Sequence, residues 1–385
     1  MMPIAYLADR VFTPHGIERD VAVVVEDGII TAVGSSIPSG VQVVRLAGHT
    51  LWPGLIDIHI HGRAGADVMD ATPQALQTIA DALPQCGVVA WVGTTVSAPQ
   101  QDVCQALQQV GAFIAAGQRQ GARLLGSFLE GPHFTAPYRG SHPETFLCEP
   151  DADALEALWQ ASDGTLLRAA LAPESETALQ AIAWWRARGV KVGIAHTAAS
   201  FSQVQRAHAL GADCGVHLYN GMSGLHHREP GCCGAVLYLD MLAELIADGI
   251  HVHPVMLNLA YRSKGYHHIA LITDCMRAGG LGEGRYRLGA QEITVRNGEA
   301  RTDDGSLAGS TCSLDQAVRN MINLAGVPAW EAVQMASAVP AAYLGLTERL
   351  GEIRAGALAN FTVVDEAMTV VETYINGECA YRRSA

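Results

Sequence analysis

Residues 55–62 read LIDIHIHG, with Asp57, His59 and His61 alternating with isoleucines. Strict alternation predicts a strand, and a period of two places both imidazoles on one face. A lone His-x-His is equally at home on a half-exposed strand whose polar face meets water. The rest of the chain decides between the two readings, because the same arrangement recurs. Seven further segments look strand-like: VVAWVGTTV (88–96), RLLGSFLEGPH (123–133), LLRAALAPE (166–174), VKVGIAHTA (190–198), CGVHLYNGM (214–222), ELIADGIHVH (244–253) and HIALITDCM (268–276). Helix-like stretches such as PQALQTIADAL (73–83) and SETALQAIAWWRARG (175–189) lie between them. Eight apolar strands alternating with helices predict a parallel (β/α)8 barrel of TIM type. Nearly every segment starts apolar and ends polar. The ends carry His59 and His61, Thr94 and Thr95, Glu130, Glu174, His196, His217, His251 and Asp274. In a parallel barrel these ends meet at one mouth, where barrel enzymes do their chemistry.

The two chain ends have a different rhythm. VAVVVEDGIITAVG (21–34) is β-branched with a turn at Asp27-Gly28, and ANFTVVDEAMTVVETYINGECAY (359–381) carries the hairpin signal Asn376-Gly377. They are expected to pair into one small β domain. The predicted division is residues 1–50 and 346–385 for that domain and 51–345 for the barrel.

Of the 385 residues, 49% are hydrophobic and 16% charged, enough for a large core. The formal net charge of −13 argues against nucleic acid, which needs a broad cationic surface. An anionic ligand would need a local basic patch against that field. The opening MMPIAYLADRVF has no basic segment followed by a long apolar one, and no apolar run reaches about 18 residues. Neither a leader nor a membrane span is expected. Nine cysteines with no Cys-x-x-Cys, including the adjacent Cys232 and Cys233, read as free thiols in a reducing cytoplasm.

Imidazole and carboxylate are the usual ligands of zinc, iron and related divalent ions. His59, His61, Glu130, His196, His217 and Asp274 at matching strand ends form a candidate metal constellation. An HxH after the first strand, single histidines after the fifth and sixth, and an Asp after the eighth resemble the amidohydrolase superfamily. That resemblance implies a metal-dependent barrel with a small β-sandwich domain built from both termini, and LGEIRAGALANFTVVD (350–365) is similar to its usual return into that domain. Many members bridge two metals with a carboxylated lysine after the fourth strand. This chain has two lysines, Lys191 and Lys264, and LLRAALAPE contains neither. Glu130 is left to take that place.

LEGPH, GIAHTAAS, HLYNGM, REPG, ADGIHV and LITD, in this order, resemble the N-acetylglucosamine-6-phosphate deacetylases. GLHHREPG and the surroundings of HVHP look like the branch that includes the N-acetylgalactosamine-6-phosphate enzymes. The resemblance implies hydrolysis of the acetamide by a metal-activated water, with Asp274 taking the water proton and returning it to nitrogen. It implies one or two divalent ions per subunit, zinc first and iron second, with Glu130, His196 and His217 as the main site and His59 and His61 holding a second ion. It points to Ser141, His142, Asn220 and Gly221 for sugar and phosphate. Arg228 and His251 would contact the phosphate, and Leu307, Ala308 and Gly309 would close over the acetyl group. Arg228 is expected to reach the neighbouring active site of a homodimer. The Gly-rich RAGGLGEG (277–284) opens no clear helix and reads as a loop. His253, two residues from His251, is expected on the same strand face. Asp57 is expected to be structural, and Cys275 to point into packing. Other amidohydrolase readings are a D-aminoacylase, dipeptidase or deaminase. A non-catalytic scaffold is disfavoured because every ligand position is filled.

Overall fold

The computed structural model describes residues 2–118 and 120–384. Eight parallel strands among them follow chain order around one sheet: β1 Leu55–Ile60, β2 Val88–Thr94, β3 Arg123–Glu130, β4 Leu166–Leu171, β5 Lys191–Ile194, β6 Ala212–Gly215, β7 Leu242–Ile246 and β8 Ile269–Ile272. β8 returns to β1 through a parallel bridge between Ile60 and Cys275. There the His61 N–H donates to the Cys275 carbonyl and the Asp274 N–H to the His59 carbonyl, each at 2.9 Å. The barrel is therefore nearly closed, and its seam runs beside the polar strand ends. Every residue of β1 is buried, so both faces of the opening stretch are covered and no face meets water.

A helix follows each strand: α1 Pro73–Ala82, α2 Gln100–Ala115, α3 Ala152–Ala161, α4 Glu176–Arg186, α5 Phe201–Ala209, α6 Gly231–Tyr238, α7 Pro254–Lys264 and α8 Leu314–Asn323. Local chemistry sets several starts. The side chains of Thr72, Asp151, Ser175 and Ser200 accept backbone N–H bonds at the first turns of α1, α3, α4 and α5. Each helix sends apolar residues into one shared core with the strands, among them Ile79, Leu107, Leu158, Trp185, Val204, Val236, Leu257 and Val318 against Trp91 and Val192.

The terminal strands form a separate sheet. Gln42–Pro53 lies between Ile4–Thr13 and Phe361–Val364, so N-terminal and C-terminal segments share one ladder. The sheet rolls on itself. Tyr6 and Tyr374 lie three strands apart, roughly 14 Å in a flat sheet, yet their ring centroids are 5.0 Å apart. Ile29 also bridges Leu358. The two halves thus face each other as a small sandwich. Asp27-Gly28 and Asn376-Gly377 both adopt positive φ between antiparallel strands, the geometry that a two-residue hairpin turn demands. A third such turn, Asn297-Gly298, belongs to an unexpected element. Gly284–Leu288, Gln291–Arg296 and Glu299–Arg301 form a three-stranded antiparallel insert after β8, with its own core of Leu288, Ile293 and Val295. The Gly-rich stretch before it is loop, as expected.

The seam is fixed by Asp57 on β1. Its carboxylate accepts the Thr273 hydroxyl at 2.6 Å and the backbone N–H groups of His59 and Thr273 at 3.3 and 3.4 Å. Burial pushes this carboxyl up to about 6, with the Thr273 hydroxyl bond opposing the shift. Replacing Thr273 by the nearly isosteric Val should lower the unfolding free energy by about 2 kcal/mol, the cost of one hydrogen bond to a buried charged group. Urea unfolding monitored by fluorescence checks this; an unchanged midpoint would show that the seam does not depend on this bond.

Candidate active site

The polar strand ends converge on Glu130, the last residue of β3, which is 2% exposed. Its Oε1 lies 3.1 Å from His217 Nε2, 3.5 Å from His59 Nε2 and 3.7 Å from His196 Nε2. Its Oε2 lies 3.1 Å from His61 Nε2 and 3.7 Å from His142 Nε2. Asp274 Oδ1 completes the cluster, 3.1 Å from His61 Nε2 and 3.4 Å from His59 Nε2. Burial alone would push the Glu130 carboxyl up, but the surrounding imidazoles, led by His59, hold it well below the usual carboxylate range. For Asp274 burial is likewise outweighed by His59 and His61, which bring it to about 2.

Backbone conformation shows how tightly these groups are placed. His196, His217 and Asp274 follow β5, β6 and β8 with φ of 46°, 35° and 48°. Such left-handed residues cost of order 1–3 kcal/mol each and persist only where the surroundings over-determine them. Gly221 helps to do so: a Cβ there would lie 2.7 Å from His196 Nδ1.

The cluster fits a divalent ion. His61 Nδ1 lies 3.2 Å from the Thr94 carbonyl, His196 Nδ1 lies 2.9 Å from the Tyr138 carbonyl, and His59 Nδ1 lies 3.1 Å from Glu244 Oε2. An acceptor at Nδ1 keeps a proton there, so Nε2 is the nitrogen that can give up its proton and turn a lone pair to an ion. These Nε2 atoms face the centre. His59 Nε2 is buried without a hydrogen-bond partner, and His196 and His217 Nε2 approach to 3.2 Å. Two ligands of one tetrahedral zinc, each about 2.0–2.1 Å from it, stand about that far apart. His142 differs. Its Nδ1 accepts the Ser97 backbone N–H at 3.2 Å, so its proton sits on Nε2 and it donates toward the centre instead of ligating. Burial, followed by the neighbouring His196, holds His142 well below the usual imidazole range, and it is neutral.

Above the cluster opens a cavity of about 400 Å³, within the range of small-molecule sites. His61, Glu130, His142, His196, His217 and Asp274 line it, as do Ser141, Asn220, Gly221, His251, Leu307 and Gly309. Three expected residues do not line it: His59, which is fully buried within the cluster, and two that lie elsewhere. Ala308 is buried behind this wall, its N–H donating to Ala300 at 3.0 Å. Arg228 is exposed outside the cavity of its own chain, with Nη1 2.6 Å from His227 Nε2. His251 does not sit on a strand: β7 stops at Ile246, and Asp248 Oδ2 holds His251 Nδ1 at 2.6 Å in the following loop. His253 therefore shares no strand face with it and instead caps α7, its Nδ1 accepting the Val255 N–H. Glu174 turns away from the centre and accepts from Thr135 and Ala198. Cys275 is fully buried and bonds back to the Met276 carbonyl.

Sequence reasoning missed Glu244, Arg168, Asp248 and Arg301. Glu244 and Arg168 were signalled by charge inside the apolar runs AELIA and LLRAAL. Arg301 comes from the unexpected insert and lines the cavity mouth.

The amidohydrolase family model matches residues 50–380. The chain is 43% identical over 375 residues to the N-acetylgalactosamine-6-phosphate deacetylase of Escherichia coli O157:H7, covering 97% of this chain and 98% of that one. It is 40% identical over 379 residues to the N-acetylglucosamine-6-phosphate deacetylase of Vibrio furnissii, covering 98% and 94%. A solved N-acetyl-D-glucosamine-6-phosphate deacetylase mutant from Mycobacterium smegmatis, in complex with N-acetyl-D-glucosamine-6-phosphate, superposes with a TM-score of 0.93 at 30% identity, covering 98% and 99%.

If Glu130 organises a metal site, a divalent ion at about 100 times its Kd should add about 2.7 kcal/mol to stability. In Glu130→Ala the same ion should add nothing that scanning calorimetry resolves. A gain equal to the wild type's would remove Glu130 from the site.

Proposed function

The chain belongs to the amidohydrolase family, and on that premise we propose that it hydrolyses N-acetyl-D-glucosamine 6-phosphate to D-glucosamine 6-phosphate and acetate, in amino-sugar breakdown. The observation that carries this reading is the Glu130 cluster on the floor of a cavity that Ser141, Asn220, His251 and Arg301 also line. The relatives that match nearly the whole chain support the substrate. A second reading, the N-acetylgalactosamine 6-phosphate epimer, is favoured by the 43% identical relative.

Glu130, His196 and His217 would hold one ion, and His59 and His61 a second with Glu130 between them. Zinc is the first choice and iron the second, because the donors are imidazole and carboxylate without thiolate. A bound divalent ion would supply the charge that acidifies a water and polarises the acetyl carbonyl. The chain's own residues do the rest. Asp274, ionised at the cavity floor, accepts the proton of the attacking water and returns it to the departing amine nitrogen. His142, neutral with its proton on Nε2, donates to the acetyl oxygen. Ser141, Asn220 and Gly221 hold the sugar from the cavity wall, and Leu307 and Gly309 close over the acetyl group.

The phosphate is met by cations. Asp248 holds His251 and, against burial, raises it above the ordinary imidazole range. Arg228 reaches the neighbouring subunit's cavity in a homodimer. Leu225 in the Arg228 loop, Tyr238 at the end of α6, and Val255 and Leu259 on α7 are between 45% and 79% exposed, which suits a covered face. The free cysteines suit a cytoplasmic setting, and no helix among the described residues is long and apolar enough to cross a membrane.

Asp274→Asn should lower kcat by at least ~10²-fold, the loss of a general acid–base, while metal content stays at the wild-type level. Normal turnover in that variant would sink the mechanism. Arg228→Ala should raise KM with little change in Tm; an unchanged KM would take Arg228 out of the phosphate site. A panel of N-acetylated hexosamines with and without the 6-phosphate tests the substrate. Equal turnover of the unphosphorylated sugars would favour another amidohydrolase activity.

A further inference from the structure

Glu244 on β7 is fully buried beside His59 and touches neither the proton transfer nor the substrate contacts above. Its Oε2 lies 3.1 Å from His59 Nδ1 and accepts the His217 backbone N–H at 3.3 Å. Its Oε1 is ion-paired with Arg168 Nη2. Arg168 comes from β4 and is 1% exposed. Its Nη1 donates to the Ile58 carbonyl at 2.6 Å, and its guanidinium stands 4.1 Å from the centroid of the Phe128 ring. That ring packs edge-on against His59 at 5.0 Å.

Burying such a pair costs several kcal/mol per ion, and apolar residues of similar volume often serve stability as well or better. Stability is therefore a poor reason for it to be here. What an apolar pair cannot do is accept the His59 Nδ1 proton. His61 and His196 find backbone carbonyls for that purpose, whereas His59 has Glu244.

We propose that Glu244, held by Arg168, is a positioning residue that fixes the tautomer of His59, so that its Nε2 lone pair can take a second divalent ion beside His61. The inference rests on the reading of His59 and His61 as ligands. Glu244→Gln makes a sharp test. In that variant the one amide carbonyl cannot serve both Arg168 and the His59 side; with the carbonyl on the Arg168 cation, the amide N–H faces His59 Nδ1 and the His217 backbone N–H loses its acceptor. The His59 proton then moves to Nε2, where it blocks ligation. Removing the cation as well, in Glu244→Gln/Arg168→Met, frees the amide to turn its carbonyl back to His59.

Metal-free full-length protein is titrated with Zn²⁺ against a chromophoric chelator, and metal is counted by mass spectrometry. Wild type should take two equivalents. Glu244→Gln should keep the first and bind the second 10–100-fold more weakly, the usual range for losing such a partner. The double variant should recover at least ~10-fold in second-ion affinity, where a merely structural role predicts further loss. Equal second-ion affinity in wild type and Glu244→Gln, one equivalent in wild type, or no recovery in the double variant would each overturn the inference. If Glu244→Gln does not fold by circular dichroism, Glu244→Asp replaces it. Asp keeps the charge but withdraws the acceptor, so the second ion should weaken again, and unchanged affinity overturns the proposal. Turnover of the acetylated sugar phosphates is measured separately. Its absence alongside this metal pattern would sink the proposed function and leave this inference standing.

Discussion

A buried carboxylate governs this molecule. Between them, the two oxygens of Glu130 lie within 3.7 Å of the Nε2 atoms of five histidines, Oε1 near His59, His196 and His217 and Oε2 near His61 and His142. Such a charge tolerates burial only when paired and hydrogen-bonded. The pairing groups come from separate strand ends and loops, so they meet only if the barrel closes. Closure in turn uses the same residues: the β1–β8 seam is made by the backbone of His59, His61, Asp274 and Cys275. The site and the seam are therefore one structure. The positive φ of His196, His217 and Asp274 is what remains once side-chain direction is given priority over backbone comfort.

Much of this was readable in the sequence because burial leaves a strong local trace. A strand covered on both faces is apolar throughout, so Asp57, His59 and His61 stand out in LIDIHIHG, and Glu130, His196, His217 and Asp274 stand out at the ends of theirs. The hairpins at Asp27-Gly28 and Asn376-Gly377 were equally legible, since a two-residue turn with positive φ at both positions leaves little chemical choice. Partner choice over distance was not legible. Arg168 and Glu244 are 76 residues apart, and nothing local says that one salt bridge joins them. His251 was misplaced onto a strand for a similar reason. Its neighbours are apolar enough to continue β7, but Asp248 captures its ring and the backbone N–H of residues 250 and 251, which ends the strand pattern. The three-stranded insert escaped although Asn297-Gly298 carries the same turn signal, because the strands around it mix charged and apolar residues and bury only a few of them.

The same contrast between global and local terms shapes the cavity's charge. The chain carries a formal charge of −13, a field that repels anions at long range. An anionic ligand must then be held by groups that act at contact distance. His251 is held in place by Asp248, and Arg301, bonded to Glu299 at 2.7 Å and to the Gly305 carbonyl at 2.6 Å, is already oriented at the mouth. Pre-oriented donors lose little freedom when they bind, which is where affinity is won against an unfavourable background.

The histidines show why residue identity stops short of role. His142 and His196 have ring centroids 4.6 Å apart and face the same carboxylate. One meets a backbone N–H at Nδ1 and the other meets a backbone carbonyl. That single difference in neighbour puts the outward proton on His142 and the outward lone pair on His196. In the proposed chemistry a donor and a metal ligand thus arise from the same side chain, and the distinction lies in Ser97 and Tyr138, which belong to other parts of the chain. For His59 the neighbour is itself a side chain, Glu244, so the role we propose for it depends on an interaction that a single substitution can change. A constellation read from a sequence gives the atoms that can act. The partners on the far side of each ring decide how they do.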